Sequence, residues 1–280
     1  MADPAAVTFR WRRMALIIVA MLGLFALALF LVQEQLIYFP RRYEAHEIDA
    51  PPGGLRALRY RVGDGERVAF VRAPADPEAA RWWLVCSGNG GVALDWVEFV
   101  AIEDDPSVGY LLVDHPGFGA NGGRPSPSAG DATVDGAIAA LAAETGLAPA
   151  ELLARGGVLG HSLGAAVALR AATRHRVGTA VLLAPFTDMM AMARRQVGWP
   201  FCHVLTHRYD NRAALRALAE QPRRPSVRIV HGEDDTIVPP AMARDLAAEF
   251  PFAVVTALPD VGHNDLIDHA AAIRAAMRGP

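Results

Sequence analysis

The chain has 280 residues, a formal net charge of −3 and 52% hydrophobic residues. That length suits one large domain with an appendage or two small domains, and the mildly acidic balance excludes the basic footprint of a nucleic-acid binder. The absence of lysine excludes Schiff-base chemistry and a Ser-Lys dyad, and two cysteines, Cys86 and Cys202, make no disulfide framework.

Met14 to Val32 is an unbroken run of apolar side chains with one glycine, Gly23. A spanning helix needs roughly 20 such residues. Ala26-Leu27-Ala28 resembles a signal-peptide cleavage site, but the apolar run continues past it through Leu29-Phe30-Leu31-Val32. A signal h-region is shorter, roughly 7–15 residues, so a retained anchor over 14–32 is favoured over a cleaved leader. Arg10, Arg12 and Arg13 precede the span, and Gln33 and Glu34 follow it. The positive-inside tendency then makes 1–13 a cytoplasmic tail and puts the main domain outside the cytoplasm, in a bacterial inner membrane as a single-pass protein. Arg41 and Arg42 soften that asymmetry.

Residues 33–55 read as a connector, broken by Pro40, Pro51-Pro52 and Gly53-Gly54. Within it, Tyr38-Phe39 suits either a membrane interface or packing onto the domain. From residue 56 onward, strand and helix patterns alternate. Arg56–Val62 and Arg67–Arg72 read as a hairpin around Gly63-Asp64-Gly65. Short apolar runs at 82–86, 109–113, 157–160, 179–184, 227–230 and 253–257 suit strands buried on both faces. Helical stretches are expected near 93–102, 129–144, 163–174, 241–250 and 265–277. The alternation predicts an α/β domain over 56–280, with a mostly parallel sheet and helices on both faces.

Three loops at the ends of these strands carry chemistry. Ser87-Gly88-Asn89-Gly90-Gly91 follows the run at 82–86, and its glycines let backbone approach a substrate closely. Asp114-His115-Pro116-Gly117-Phe118-Gly119 follows the run at 109–113; His115 is expected to be structural or to line an entrance. Gly160-His161-Ser162-Leu163-Gly164 stands between a strand and a helix, the setting of a nucleophile elbow. Such a turn pushes the serine hydroxyl out of the sheet edge, and His161 is expected to pack beneath it.

The interval 188–224 interrupts the alternation and is too long for a simple connector. It is read as a helical cap over the pocket, against the plainer alternative of an excursion packed on the sheet edge. Beyond it, His231-Gly232-Glu233-Asp234-Asp235 and Val261-Gly262-His263-Asn264 each follow a strand-like run. Ligands of open α/β sheets bind at these carboxyl ends. A serine needs a histidine base oriented by a carboxylate, and the order Ser, acid, His makes His263 the base. Glu233, Asp234 and Asp235 all compete for the acid. The oxyanion donors expected are the backbone N–H groups of Leu163 and Asn89. No metal-ligand spacing and no dinucleotide fingerprint is recognised, so no cofactor is expected.

These motifs, taken in order over about 55–280, resemble the α/β-hydrolase superfamily. Members often carry His-Gly, two residues, then Asp and a Val-Pro. Against His231-Gly232-Glu233-Asp234-Asp235-Thr236-Ile237-Val238-Pro239, that pattern points to Asp235 as the acid. More narrowly, Gln35-Leu36-Ile37-Tyr38-Phe39-Pro40 after an apolar span is similar to a membrane-anchored subgroup, related to lysophospholipase-like and protein-depalmitoylating enzymes. That subgroup usually has His-Gly-Asn where this chain has Ser87-Gly88-Asn89. The resemblance implies an α/β-hydrolase fold and a Ser162–Asp235–His263 triad acting on acyl esters or thioesters. The anchor and the apolar cap point to a lipid-like acyl substrate, although a cap also suits small soluble esters. The competing readings are an amidase or aminopeptidase with the same triad, and a membrane-tethered binding module without turnover.

Overall fold

The computed structural model describes residues 4–278. Its first element is a single helix, α1 (Pro4–Ile37). Of the expected tail 1–13, residues 1–3 lie outside the described part, and the rest is helical and continuous with the apolar run. The helix also runs on past Val32 into the expected connector, because the next breaker is Pro40. The stretch Phe9–Ile37 is long and apolar enough to cross a membrane, and its most apolar part has a mean hydropathy of 3.0. The connector also holds a short helix, α2 (Ala45–Asp49).

Eight strands follow: β1 (Arg56–Val62), β2 (Gly65–Arg72), β3 (Arg81–Cys86), β4 (Val108–Val113), β5 (Gly157–His161), β6 (Thr179–Leu183), β7 (Ser226–Gly232) and β8 (Ala253–Leu258). They form one sheet in the order β1-β2-β4-β3-β5-β6-β7-β8. The hairpin β1–β2 and the pair β2–β4 are antiparallel, and every other neighbouring pair is parallel. The hairpin turns on two residues, with Gly63 at φ 56°, a backbone angle glycine adopts without steric cost.

The helices between the strands are α3 (Val97–Ala101), α4 (Pro127–Thr145), α5 (Leu163–Arg174), α6 (Met189–Val197), α7 (Asn211–Ala219) and α8 (Pro240–Glu249), with α9 (Ala270–Arg278) last. Two expected helices are split. A 3-10 turn, Ala93–Trp96, precedes α3, and another, Asp265–Asp268, precedes α9. Inside 188–224, α6 and α7 are joined through a third 3-10 turn, Phe201–Val204.

The central strands are apolar throughout because both faces are covered. In β3, Trp82, Leu84 and Cys86 join the core under α4, α5 and α7, while Trp83 and Val85 join the core under α3 and α9. β6 repeats this, with Ala180 and Leu182 on one side and Val181 and Leu183 on the other. Period-two alternation in a doubly covered sheet hides as a continuous hydrophobic run. From β3 the chain crosses to β4 on one side, and from β5 to β6 on the other. The carboxyl ends of β3 and β5 therefore flank a topological switch point, where a crevice opens above the sheet.

Candidate active site

The loop after β3 and the turn after β5 meet at that crevice. Ser162 joins β5 to α5 with φ 55° and ψ −116°, a left-handed conformation that is costly for a residue with a side chain. Its N–H donates to Leu183 O at 2.8 Å, which ties the turn to β6. The flanking glycines are sterically required. A Cβ on Gly160 would stand 2.2 Å from Gly164 O, and one on Gly164 would stand 2.1 Å from Cys86 O. With these two positions bare, α5 packs directly on the strand ends and Ser162 is held over the crevice, 8% exposed.

Asp235 and His263 arrive from the loops after β7 and β8. His263 Nδ1 donates to Asp235 Oδ2 at 2.6 Å. That bond leaves Nε2 as the basic nitrogen of the ring. Asp235 is buried, whereas Glu233 and Asp234 are exposed to solvent. Asp235 Oδ1 accepts the backbone N–H groups of Ile237 and Val238 at 2.9 and 2.8 Å. Burial by itself would push this carboxyl up. The hydrogen bonds from His231 and His263, the nearby His263 charge and the Val238 N–H outweigh it and hold Asp235 well below the usual carboxylate range.

Two further histidines touch this pair, and a third braces the loop after β3. His231 Nε2 lies 3.1 Å from Asp235 Oδ2 and 2.9 Å from Val238 O, so it steadies the acid and its loop together. This role was not legible in the sequence, where His231 reads as a strand-end residue. The available signal is the i, i+4 spacing from His231 to Asp235 across the tight turn. His161 Nε2 donates to the backbone O of His263 at 3.0 Å. Burial and the neighbouring His263 push His161 down to about 4, so it is neutral at pH 7. His115 Nε2 donates to Ser87 O at 2.9 Å and pins the loop after β3. Its burial lowers its pKa as well.

Gly88 in that loop passes close to the elbow, and a Cβ built there would lie 3.7 Å from Ser162 Cβ. Ser87, where the resembled subgroup has histidine, accepts a hydrogen bond from the Trp96 indole at 3.1 Å. Leu163 is the first residue of α5, so its N–H has no partner within the helix. Asn89, Ser162 and Leu163 all line one cavity of about 430 Å³, within the roughly 300–1,000 Å³ of small-molecule sites. Phe186, Met189, Met192, Val197, Leu205, Ile237 and Val238 supply much of its apolar wall.

The Asn89 side chain donates from Nδ2 to Ile37 O at 2.8 Å, and Asn89 O accepts from the Phe39 N–H at 2.8 Å. Tyr38 and Phe39, one motif in the sequence, diverge in space. Tyr38 is buried with its hydroxyl 3.2 Å from Tyr209 Oη, while Phe39 is 54% exposed at the cavity rim. Among the described residues, no group of three or more His, Cys, Asp or Glu is gathered in a way that would hold a metal ion.

A family model described as the alpha/beta hydrolase family matches residues 83–228. An uncharacterized protein of Mycobacterium tuberculosis is 29% identical over 252 residues, which cover 88% of this chain and 86% of that one. The human alpha/beta hydrolase domain-containing protein 17B is a more distant relative. It is 22% identical over 70% of this chain and 63% of its own length. Among solved structures, an esterase of Pyrococcus furiosus superposes with a TM-score of 0.59 at 13% identity, covering 87% of this chain and 98% of that one.

Proposed function

The chain belongs to the alpha/beta hydrolase family, and on that premise we propose that it is a membrane-anchored serine hydrolase of acyl esters or thioesters. Ser162 Oγ attacks the acyl carbonyl carbon and passes its proton to His263 Nε2. The bond to the leaving oxygen or sulfur breaks as His263 returns that proton to it. Water then cleaves the acyl-serine by the same path and releases a carboxylic acid. Asp235 holds His263 in the Nδ1–H tautomer and stabilises its charged form. The Leu163 and Asn89 N–H groups receive the developing oxyanion.

The observation that carries this reading is the buried Asp235–His263 pair, whose acid loop sends Ile237 and Val238 into the wall of the same cavity that a serine in a strained turn lines. The apolar lining favours an acyl substrate over a charged or sugar-like one. Anchoring rests on the length and hydropathy of Phe9–Ile37, and the arginines before it favour a catalytic domain outside the cytoplasm. The interval 188–224 acts as the cap over the acyl site.

A fluorophosphonate probe tests the nucleophile. The folded wild-type protein is expected to label, and Ser162→Ala is expected to abolish labelling. An unlabelled, folded wild type would refute the serine hydrolase reading.

A further inference from the structure

The first helix does more than tether the domain. The cavity that holds Ser162 is also lined by Leu29, Gln33, Leu36 and Ile37, all from α1. Leu29, Gln33 and Ile37 fall at helical spacing and are each at least partly covered, so one face of α1 is turned to the domain. That face is bonded in place. Gln33 is buried, and its Oε1 accepts from both the N–H and the hydroxyl of Thr206 at 2.8 Å. Deeper along the helix, Phe25 meets Phe201 edge-to-face, with ring centroids 4.7 Å apart.

The depth of these contacts in a bilayer follows from helix geometry. The apolar run ends at Val32, and with a rise of about 1.5 Å per residue it is long enough to fill the roughly 30 Å hydrocarbon core. Leu29 then sits roughly 4 Å inside the hydrocarbon boundary, and Phe25 roughly 10 Å inside it. The 3-10 turn Phe201–Val204 that touches Phe25 is therefore at acyl-chain depth. The rim of the cavity is apolar where it faces outward, with Leu36 56%, Phe39 54% and Ile237 51% exposed. An aqueous mouth would leave those side chains in water, whereas a mouth at the bilayer surface covers them.

We propose that α1 is a wall of the substrate site and that the acyl chain of a bilayer lipid or lipidated substrate reaches Ser162 sideways, between α1 and the turn Phe201–Val204. This rests on the serine hydrolase reading above and names its substrate class: an acyl group that remains in the hydrocarbon layer while its carbonyl is presented at Ser162.

The test uses the full-length protein in phosphatidylcholine vesicles, with 4-carbon and 16-carbon p-nitrophenyl esters and a fluorophosphonate probe. Leu29→Trp, which fills the wall, is expected to label with the probe and to lower the 16-carbon to 4-carbon ratio of kcat/KM at least tenfold. Leu31→Trp is expected to leave that ratio within twofold of wild type, because Leu31 is 64% exposed and lines no part of the cavity. Should Leu29→Trp fail to fold, Leu29→Ala widens the same wall and is expected to raise the ratio at least threefold. A labelled Leu29 variant with an unchanged ratio, or equal effects from Leu29→Trp and Leu31→Trp, would overturn the lateral route while sparing the nucleophile. Absence of labelling in the folded wild type would overturn both.

Discussion

Asp235 takes two imidazoles on one carboxylate oxygen, which makes it the most heavily bonded group of the candidate site. A hydrogen bond to a charged, buried group is worth roughly 1.5–3 kcal/mol. His231→Phe keeps most of the volume and removes one of those bonds, so it is expected to lower stability by about that amount at pH 7 in urea unfolding. The sign of the pH dependence follows from the lowered folded-state pKa of Asp235. Its stabilisation is complete above the unfolded carboxyl value of about 3.9 and fades as pH falls through the folded value. The wild type should therefore lose this contribution as pH falls below about 4, and Asp235→Asn, which cannot ionise, should lack that part of the loss. An equally large loss of stability in Asp235→Asn between about pH 4 and about pH 2 would refute the assignment. His161 works the other way round. It is neutral in the fold down to about 4, while an unfolded histidine takes its proton near 6.5. Between those values, acidification costs up to about 1.4 kcal/mol per pH unit. The melting temperature is expected to fall from pH 7 to 5, and His161→Gln to flatten that fall; an equally steep fall in the variant would remove His161 as its source.

Among the elements, the β5–α5 turn and the loop after β3 are held by different means. The turn depends on bare glycines, with Gly160 and Gly164 facing backbone oxygens at about 2 Å from any added Cβ. Overpacking of side chains costs roughly 1–3 kcal/mol, and a clash against backbone relaxes less easily. Gly164→Ala is accordingly expected to lose at least about 3 kcal/mol, read as a lowered melting temperature together with lost probe labelling. A variant as stable as wild type would contradict the close packing of α5 on β3. The loop depends on partners outside itself, namely His115, Trp96 and the carboxyl end of α1. Asn89→Ala removes the bond from the loop to Ile37 O and leaves the backbone donor in place. It is expected to lower kcat about tenfold, or about 1.4 kcal/mol, with KM changing less than twofold. A change confined to KM would reassign Asn89 from positioning the loop after β3 to binding the leaving group.

For the molecule as a whole, α1 on one side and α6 with the turn Phe201–Val204 on the other line the same cavity. Membrane topology can be read directly with carboxyl-terminal fusions. If the proposed anchoring holds, an alkaline phosphatase fusion is expected to be active and a β-galactosidase fusion inactive, since the arginines before the apolar helix favour a cytoplasmic amino terminus. The opposite pattern would reverse the orientation. Much of the scaffold is legible in the sequence. Doubly buried strands announce themselves as apolar runs, and α5 begins and ends where its helical stretch is expected, at 163 and 174. The boundaries of α1 and the two split helices are less legible, because the choice between 3-10 and α geometry depends on what the turn packs against.

Taken alone, the sequence determines the motif order, the doubly covered sheet and the candidates Ser162 and His263, because each is written in local pattern and spacing. It leaves three neighbouring carboxyls equivalent until a family resemblance picks one. In the fold, the turn after β7 buries Asp235 against two histidines and leaves Glu233 and Asp234 in solvent. The sequence likewise separates the first apolar helix from the elbow serine by more than a hundred residues, from Val32 to Ser162. Folding brings α1 to the cavity wall and bonds Ile37 to Asn89. Those contacts join side chains distant in sequence and have no local signature, so they exist only once the sheet has brought its strand ends together beside the helix.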